Sequence, residues 1–312
     1  MSKPPVLSDG NGVVTVRAPR SSSGRIVRFL LFLVALILCF TWPLFSLFSY
    51  ALHSDLHSHI VLIPFISAYL LYVHWDKLPE PHSSSIGWAI FPFLCGLVLV
   101  VTNFAQKAFE PAVIALAFIC FVVAGGFLFL GKNWMKAAMF PFAFLLFMIP
   151  LPDAVANSLE NASKLASAEC ANFFLQLTGT PVLRDGLVFQ LPNITIEVAQ
   201  ECSGIRSSWV LLIASTLASY LFLKRNSNRL ILVLAAIPLG FLRNGFRIAV
   251  IGLLCINLGP QMIHSPIHRQ GGPLFFVLSL FPLFLLLWFL RRIERPRSGE
   301  TKPTTTMTNG TS

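Results

Sequence analysis

Charged residues are scarce in this chain, and acidic residues are scarcer than basic ones. Only 12% of the 312 residues are charged, with 13 acidic and 23 basic side chains, whereas 55% are hydrophobic. A soluble core of this size cannot bury so much apolar side chain, so we expect a polytopic membrane protein. The basic residues lie in short clusters between apolar runs, without a DNA- or RNA-binding motif, so no nucleic acid partner is expected.

Paired cysteines are also lacking. The six cysteines are scattered and form no CxxC pair, which argues against a disulfide framework or a zinc-type site, and nothing in the sequence indicates a cofactor. Four of them lie inside apolar runs, where a thiol is usually a small hydrophobic side chain: Cys39, Cys95, Cys120 and Cys255. Cys170 and Cys202 remain as candidates for chemistry.

Long apolar runs account for most of the chain. A spanning helix needs about 20 apolar residues, and this measure predicts an all-α polytopic membrane protein with about eight transmembrane helices. The predicted spans are 28–50, 58–75, 86–104, 111–130, 135–151, 205–223, 230–256 and 272–290. Together they predict one membrane domain over residues 26–295, between polar tails at 1–25 and 296–312 that we expect to be disordered and cytoplasmic.

Basic residues are distributed unevenly between the two sets of connecting segments. With the N-terminus inside, the cytoplasmic segments carry sixteen Lys or Arg residues and the outer segments carry five. By the positive-inside rule, this bias predicts that both termini are cytoplasmic and that the number of spans is even. The longest polar stretch, between the fifth and sixth spans, then lies outside the cytoplasm.

This polar stretch predicts a small extracytoplasmic cap over about residues 152–203. Apolar residues at helical spacing indicate an interfacial helix over residues 153–177. The apolar stripe comprises Val155, Leu159, Ala162, Ala166, Cys170, Phe173, Phe174 and Leu177. Alternating residues at 182–189, followed by 196–198, predict short strands. We expect the cap to line a water-filled cavity and to bring Cys202 to the membrane surface.

Cys202 lies where the polar cap gives way to a helix, and Ser203 and Gly204 follow it. A thiolate at this place is stabilised by the helix N-terminus and by nearby cations, and the thiolate is the nucleophilic form of cysteine. The alternative is a small interfacial residue without a chemical role. Glu201 can orient an arginine, act as a base, or simply lie solvated at the interface.

Two arginines lie inside the seventh predicted span. Arg243 and Arg247 are four residues apart and therefore share a helix face, with Asn244 beside them. An intramembrane guanidinium costs roughly 2.5–3.5 kcal/mol on insertion scales, so such residues are usually functional or paired. Two interpretations stay open, because either an anionic group or a carboxylate of the chain can neutralise them. The candidate carboxylates are Asp153, Glu197 and Glu201.

The polar turn before the eighth span contains His264 and His268. A histidine at this place can act as a general acid or base, or donate to an oxyanion. A loop histidine is more often an ordinary surface residue, but Pro260 and Pro266 constrain this turn.

In combination, these motifs resemble the exosortase/archaeosortase family of membrane cysteine transpeptidases. The resemblance rests on Val198-Ala-Gln-Glu-Cys202-Ser-Gly-Ile-Arg206, on Asn244-Gly-Phe-Arg247 as N-x-x-R, and on His268-Arg-Gln-Gly-Gly272 as H-x-x-x-G. The residues before the cysteine, from Leu183-Arg-Asp-Gly186 to Leu191-Pro192, are also similar to the family. The resemblance covers approximately residues 150–290, whereas the first four spans match by hydropathy alone.

The resemblance implies a role for each motif. Cys202 would be the nucleophile that forms an acyl-thioester, Arg247 the proton donor, and His268 the stabiliser of the oxyanion. Because the pKa of a guanidinium exceeds about 12, elementary chemistry favours Arg247 as an electrostatic stabiliser of thiolate and oxyanion. The supporting residues would be Glu201, Arg206, Arg243 and Asn244.

The resemblance also implies the substrate class and the setting. Substrates would be secreted proteins with a C-terminal sorting signal, made of a short motif often containing Pro-Glu-Pro, one spanning helix and a basic end. The new C-terminus would pass to a lipid or to an exopolysaccharide-linked acceptor. In bacteria the family is associated with exopolysaccharide and biofilm loci, which implies a multi-pass protein of the plasma (inner) membrane with its active site outside.

Two other hypotheses fit the same residues. In the first, the chain is a transporter or a structural subunit of a polysaccharide export system, and Arg243 and Arg247 bind an anionic substrate. In the second, Cys170 and Cys202 form a structural disulfide, which would leave no thiol to act as a nucleophile.

Overall fold

The computed structural model describes residues 22–54, 56–81, 84–105, 110–192, 194–198, 204–265 and 271–294. They form two compact units, and the boundary between the units falls between Pro152 and Asp153. Helices make up most of both units, as expected for a chain whose backbone must satisfy its own hydrogen bonds within a bilayer.

The first unit consists of helices. They are α1 (Ser22–Cys39), α2 (Thr41–His53), α3 (Ile63–Val73), α4 (Ile86–Ala105), α5 (Pro111–Phe129), α6 (Lys132–Ala137) and α7 (Met139–Phe144). Short 3-10 helices lie at Ser58–Val61, Trp75–Lys77 and Leu145–Met148. Small residues allow these helices to pack closely, since a Cβ on Gly96 of α4 would lie 3.2 Å from the Ala117 carbonyl of α5.

The second unit combines helices with one small sheet. Its elements are α8 (Asp153–Leu177), β1 (Leu183–Asp185), β2 (Val188–Leu191), β3 (Ile194–Glu197), α9 (Ile205–Phe222), α10 (Asn226–Leu258) and α11 (Gly272–Glu294), with a 3-10 helix at Pro260–His264. The three strands form an antiparallel sheet in the order β1-β2-β3. The turn between β1 and β2 passes through Gly186, whose φ is 59°.

Helix α10 is the centre of the second unit, and α9 and α11 both run antiparallel to it. Ser208, near the start of α9, lies against Gly240, whereas Arg229 lies over the ring of Tyr220, near the end of α9. At the two ends of α11, Phe275 contacts Phe246 and Glu294 accepts a hydrogen bond from Asn228. We call these ends the Gly204 end (Gly204, Arg243, Asn244, Phe246 and Phe275) and the loop end (residues 223–228 and Glu294).

The sheet packs against α8 and the last third of α10. Phe189, Ile196 and Val198 form a buried cluster with residues of α8 and with Ile248 and Ala249 of α10. An ion pair of 2.8 Å between Arg184 of β1 and Glu169 of α8 adds a polar contact. The sheet therefore covers the part of α10 that extends beyond the start of α9.

Five described helices are long and apolar enough to cross a membrane, judged by length and composition alone. They are α4, α5, α9, α10 and α11. The number rises to seven if two bent pairs of consecutive helices each count as one span. These helices confirm the predicted all-α polytopic architecture.

The predicted count of eight spans is not confirmed. The first predicted span is divided into α1 and α2, which are bent by 72°, and the second contains α3, a helix of only 11 residues. The fifth is divided at Ala138 into α6 and α7. Each division directly follows a carbonyl that lies four residues before a proline, since Pro43 and Pro141 lack the N–H that would bond to Cys39 and Ala137.

The predicted cap elements agree closely with the structure. The helix expected over residues 153–177 is α8, and the predicted strands are observed as β1 to β3. The face that α8 buries is made mainly of small residues: Ala156, Ser163, Ser167, Ala168, Ala171 and Leu175. Most of the predicted apolar stripe, including Val155, Leu159 and Phe173, is exposed. The location of this cap outside the cytoplasm and its cavity stay predictions.

Candidate active site

Helix α9 begins at Ile205, directly after Gly204, as the residues around Cys202 predicted. Gly204 has a φ of 68°, which lies in the left-handed region that favours glycine. A Cβ at this position would lie 2.6 Å from Cγ and 2.7 Å from Oδ1 of Asn244 in α10. Both the backbone conformation and the lack of space therefore require glycine here, and α9 starts in direct contact with α10.

Arg243 joins α10 to this first turn of α9. Its side chain is only 7% exposed, and its Nη2 donates to the Gly204 carbonyl oxygen at 3.0 Å and to Ser208 Oγ at 3.5 Å. The same carbonyl accepts hydrogen bonds from the backbone N–H and the hydroxyl of Ser208, each at 3.0 Å. The buried Nη1 of Arg243 makes no hydrogen bond to any described residue.

Two glycines allow α10 to approach both of its neighbours closely. A Cβ on Gly240 would lie 2.5 Å from Ser208 Oγ of α9. A Cβ on Gly245 would collide with Cys170 of α8 and would lie 2.9 Å from the Ala171 nitrogen. Small residues at helix interfaces let backbones pack this closely. Gly240 and Gly245 therefore let α9 and α8 pack directly against the part of α10 that carries Arg243 and Arg247.

Arg247 lies one turn beyond Arg243 and is half-buried. The neighbouring Phe246 contacts Phe174 of α8, with ring centroids 5.6 Å apart, and Phe275 of α11, at 6.2 Å. These edge-on ring contacts connect three helices beside Arg247. The first turn of α11 therefore lies at the same end of α10 as Arg247.

The Gly204 end concentrates positive charge. The N-termini of α9 and α11 both lie here, and each carries roughly half a positive charge from its unpaired backbone N–H groups. Arg243 and Arg247 add full charges, and exposed Arg206 lies in the first turn of α9. This arrangement favours an anionic group, such as a thiolate or an oxyanion, at this end of the unit.

A carboxylate partner for Arg243 was one of the two interpretations of the sequence. Within the described part of the chain, Arg243 forms no ion pair, and the charge that acts on it is that of Arg247, which is of the same sign. The candidates Asp153 and Glu197 are both exposed. Neither is observed to pair with Arg243, which donates to a backbone carbonyl. The third candidate, Glu201, lies outside the described residues.

The structure brings some of the expected site residues together and does not describe others. Arg243, Asn244 and Arg247 share one stretch of α10, and Arg206 lies near the start of α9. Glu201, Cys202 and His268 lie outside the described residues. In the segments that are described, no three His, Cys, Asp or Glu residues lie close enough together to hold a metal ion.

Sequence reasoning missed the residues that position the arginines. Gly204, Ser208, Gly240 and Gly245 make the closest contacts at this end, yet none was singled out as a site residue. The available signal was the small side chain of each residue beside a charged or polar motif. Cys170 is a free cysteine that faces Gly245, so the structure contains no disulfide at that position.

Comparisons with known proteins give the family context of this geometry. Residues 49–285 match the family model described as transmembrane exosortase, which is more than half of the chain. A curated relative, the probable archaeosortase E of Methanocaldococcus jannaschii, is 32% identical over 120 residues. That match covers 38% of this chain and 60% of the relative, so it spans less than two thirds of the relative's length. No solved structure matches the chain.

Proposed function

This chain belongs to the transmembrane exosortase family, and we propose that it is a membrane cysteine transpeptidase. It cleaves the C-terminal sorting signal of secreted proteins through an acyl-thioester on Cys202 and transfers them to a surface acceptor. One observation carries the proposal: Gly204, which follows the Cys202 segment, lies against Asn244 and bonds to Arg243 of α10, one turn from Arg247.

The flanking contacts limit where the nucleophile can be. Val198, the last described residue before Cys202, belongs to the same buried cluster as Ile248 and Ala249. Gly204, the first described residue after it, lies against Asn244. Asn244 and Ile248 are about one helical turn apart, or roughly 5.4 Å along α10. Chain connectivity also keeps the Cα atoms of Cys202 and Gly204 within about 7 Å. We infer that Cys202 acts together with Arg247.

The charges at the Gly204 end suit each chemical step. The cations and the N-terminus of α9 favour the thiolate of Cys202, which attacks the scissile carbonyl carbon. A C–S bond forms, the amide C–N bond breaks, and the leaving amine takes up a proton from water. An acceptor amine or hydroxyl then attacks the thioester carbon and loses its proton to the hydroxide that remains, and the C–S bond breaks to restore the thiolate.

Two further residues complete the proposed site. Arg247 stabilises the thiolate and the oxyanion, because a guanidinium holds its charge at neutral pH, although the family resemblance assigns it the role of proton donor. His268 donates to the oxyanion. It lies between the 3-10 helix at Pro260–His264 and α11, whose first turn contacts Phe246 next to Arg247.

The length of α9 suggests the depth of the site. Its 18 residues span about 27 Å, close to the roughly 30 Å of a bilayer core. Arg243 lies opposite the start of α9, so residues 244–258 of α10 extend beyond it by about 22 Å. The sheet and α8 cover this extension. We therefore place Arg243 and Arg247 at the membrane boundary and not in the middle of the bilayer.

The distribution of basic residues supports the proposed topology. Sixteen Lys or Arg residues on one side against five on the other favour cytoplasmic termini and a site outside the cytoplasm. In a bacterium this membrane would be the plasma (inner) membrane. Its acceptor would be a lipid or an exopolysaccharide-linked molecule, as the family resemblance implies.

Co-expression with a candidate substrate tests the proposal. The protein would be produced with a secreted protein that ends in a sorting helix, and the substrate's C-terminus would be measured by mass spectrometry. We expect the wild type to shorten the substrate and Cys202→Ala to leave it intact. Cys39→Ala, which replaces an exposed cysteine of α1, is the matched control and should process normally. Equal processing by Cys202→Ala would contradict the proposal and favour the transporter hypothesis.

A further inference from the structure

Arg243 has no assigned role in the proposed chemistry, although it is the most buried charged side chain of the Gly204 end. A buried guanidinium in a membrane protein is normally neutralised by an anion or used in function. Here the charge that acts on it, among the described residues, is that of Arg247, which repels it. The contacts that Arg243 makes must therefore explain why a guanidinium is buried here.

Those contacts converge on one backbone group. Arg243 Nη2 donates to the carbonyl oxygen of Gly204 at 3.0 Å, and this oxygen also accepts from Ser207 Oγ at 3.3 Å and from Ser208. The carbonyl belongs to the residue directly before α9, two residues after Cys202. Arg243 thus bonds to the point where the Cys202 segment enters the helix.

The opposite side of Gly204 is held by Asn244. The side chain of Asn244 is 1% exposed, and it occupies the place where a Cβ of Gly204 would be, 2.6 Å from Asn244 Cγ. One residue of α10 therefore binds the carbonyl of Gly204 while the next fills the space beside its Cα. Together they fix the backbone of Gly204 at the start of α9.

We propose that Arg243 is a positioning residue that ties the Cys202 segment to α10 through the Gly204 carbonyl. This inference rests on the proposed function, in which Cys202 is the nucleophile. Arg243 acts through the backbone of Gly204, which lies two residues after the cysteine at the N-terminus of α9, where positive charge favours a thiolate. Its buried Nη1, which bonds to no described residue, leaves a second donor for negative charge at this end.

The chain offers a matched control for this contact. Arg229, at the loop end of the same helix, donates from Nε to the Leu223 carbonyl at 2.9 Å and lies over the ring of Tyr220. It also joins α10 to a carbonyl next to α9, but far from Cys202. Arg243→Met and Arg229→Met therefore remove equivalent bonds and differ in their distance from the proposed nucleophile.

The rate at which iodoacetamide alkylates Cys202 at neutral pH tests the inference without a known substrate. Mass spectrometry of the Cys202 peptide would follow the reaction in purified protein, with glutathione as the reference thiol. We expect Cys202 of the wild type to react at least tenfold faster than glutathione. Arg243→Met should slow the alkylation of Cys202 at least tenfold. The variant should keep the thermal stability of the wild type, because an apolar isostere often replaces a buried charge without loss of stability. The alkylation rate of Cys202 in Arg229→Met should stay within twofold of the wild-type rate.

Each outcome separates the inference from the proposed function. A wild-type rate in folded Arg243→Met would overturn the positioning role while leaving Cys202 as the nucleophile. A wild-type Cys202 no faster than glutathione would instead contradict the proposed function. If Arg243→Met does not accumulate, Arg243→Lys keeps the charge but replaces the fork with a single donor group. It should react threefold to tenfold more slowly than the wild type, and an unchanged rate would overturn the inference.

Discussion

The two ends of the α9–α10 hairpin use the same contact for different purposes. At the loop end, Arg229 of α10 bonds to the Leu223 carbonyl at 2.9 Å, and at the Gly204 end Arg243 bonds to the Gly204 carbonyl at 3.0 Å. Arg229 is half-buried and lies over the ring of Tyr220. Arg243 is buried, and no ring of a described residue lies under its guanidinium. The two arginine–carbonyl bonds are therefore similar in length, but the two guanidinium groups lie in different environments.

The two ends also differ in whether a described carboxylate lies near the cations, and Glu294 is the carboxylate of the loop end. At the loop end its carboxylate accepts hydrogen bonds from the backbone N–H groups of Lys224 and Arg225, at 2.7 and 2.9 Å, and from Asn228 at 3.0 Å. Around Arg243, no described residue supplies such a carboxylate. Among the described residues, the loop end thus has a carboxylate that the Gly204 end does not have. If the proposed function is correct, the cations of the Gly204 end are left to stabilise an anionic intermediate.

Disturbing the backbone at the Gly204 end should have the largest effect on activity. We expect Gly204→Ala to lower sorting-signal cleavage at least 100-fold, because the new methyl group collides with Asn244 and displaces the start of α9. Gly186→Ala is the control, since Gly186 also has a left-handed φ, 59°, but has open space around its Cα. Cleavage would be measured per amount of folded protein. Similar losses in both variants would show that backbone strain alone is responsible.

Disturbing the loop end should reduce stability and leave the chemistry intact. Glu294→Ala removes the acceptor of three hydrogen bonds, which should lower the free energy of unfolding by about 1–3 kcal/mol. We expect a lower thermal transition in detergent and unchanged cleavage per folded molecule. A loss of cleavage without a loss of stability would remove the contrast between the two ends.

Local sequence signals located most of the elements in this chain. Helix α8 has the bounds that its apolar periodicity predicted, and α4, α5 and α9 lie within a residue or two of their predicted spans. The division of the first predicted span was missed, because average hydropathy does not register that Pro43 cannot donate to Cys39. Average hydropathy thus locates an apolar segment more readily than it locates a helix break within that segment.

At the candidate site, the sequence predicted which residues matter but not the contacts that they make. Its arginines were recognised because charge is rare in an apolar segment, and the structure places Arg243, Asn244 and Arg247 on one stretch of α10. The sequence indicated an anion or a carboxylate as the partner of the arginines, and the structure adds a contact that it did not indicate, from Arg243 to the Gly204 carbonyl. Every residue has a carbonyl, so no sequence pattern marks the one that is bound. The close approach of Gly245 to α8 likewise depends on tertiary packing.

Cross-linking tests most directly whether the Cys202 segment meets α10 at Arg247. In a protein whose other five cysteines are replaced, Arg247→Cys would be treated with a short bifunctional maleimide, and linked peptides would be identified by mass spectrometry. We expect a link between Cys202 and position 247. Ile231→Cys, about 24 Å away along α10, should give none. Absence of the link at 247, with both thiols still open to a monofunctional maleimide, would contradict the account.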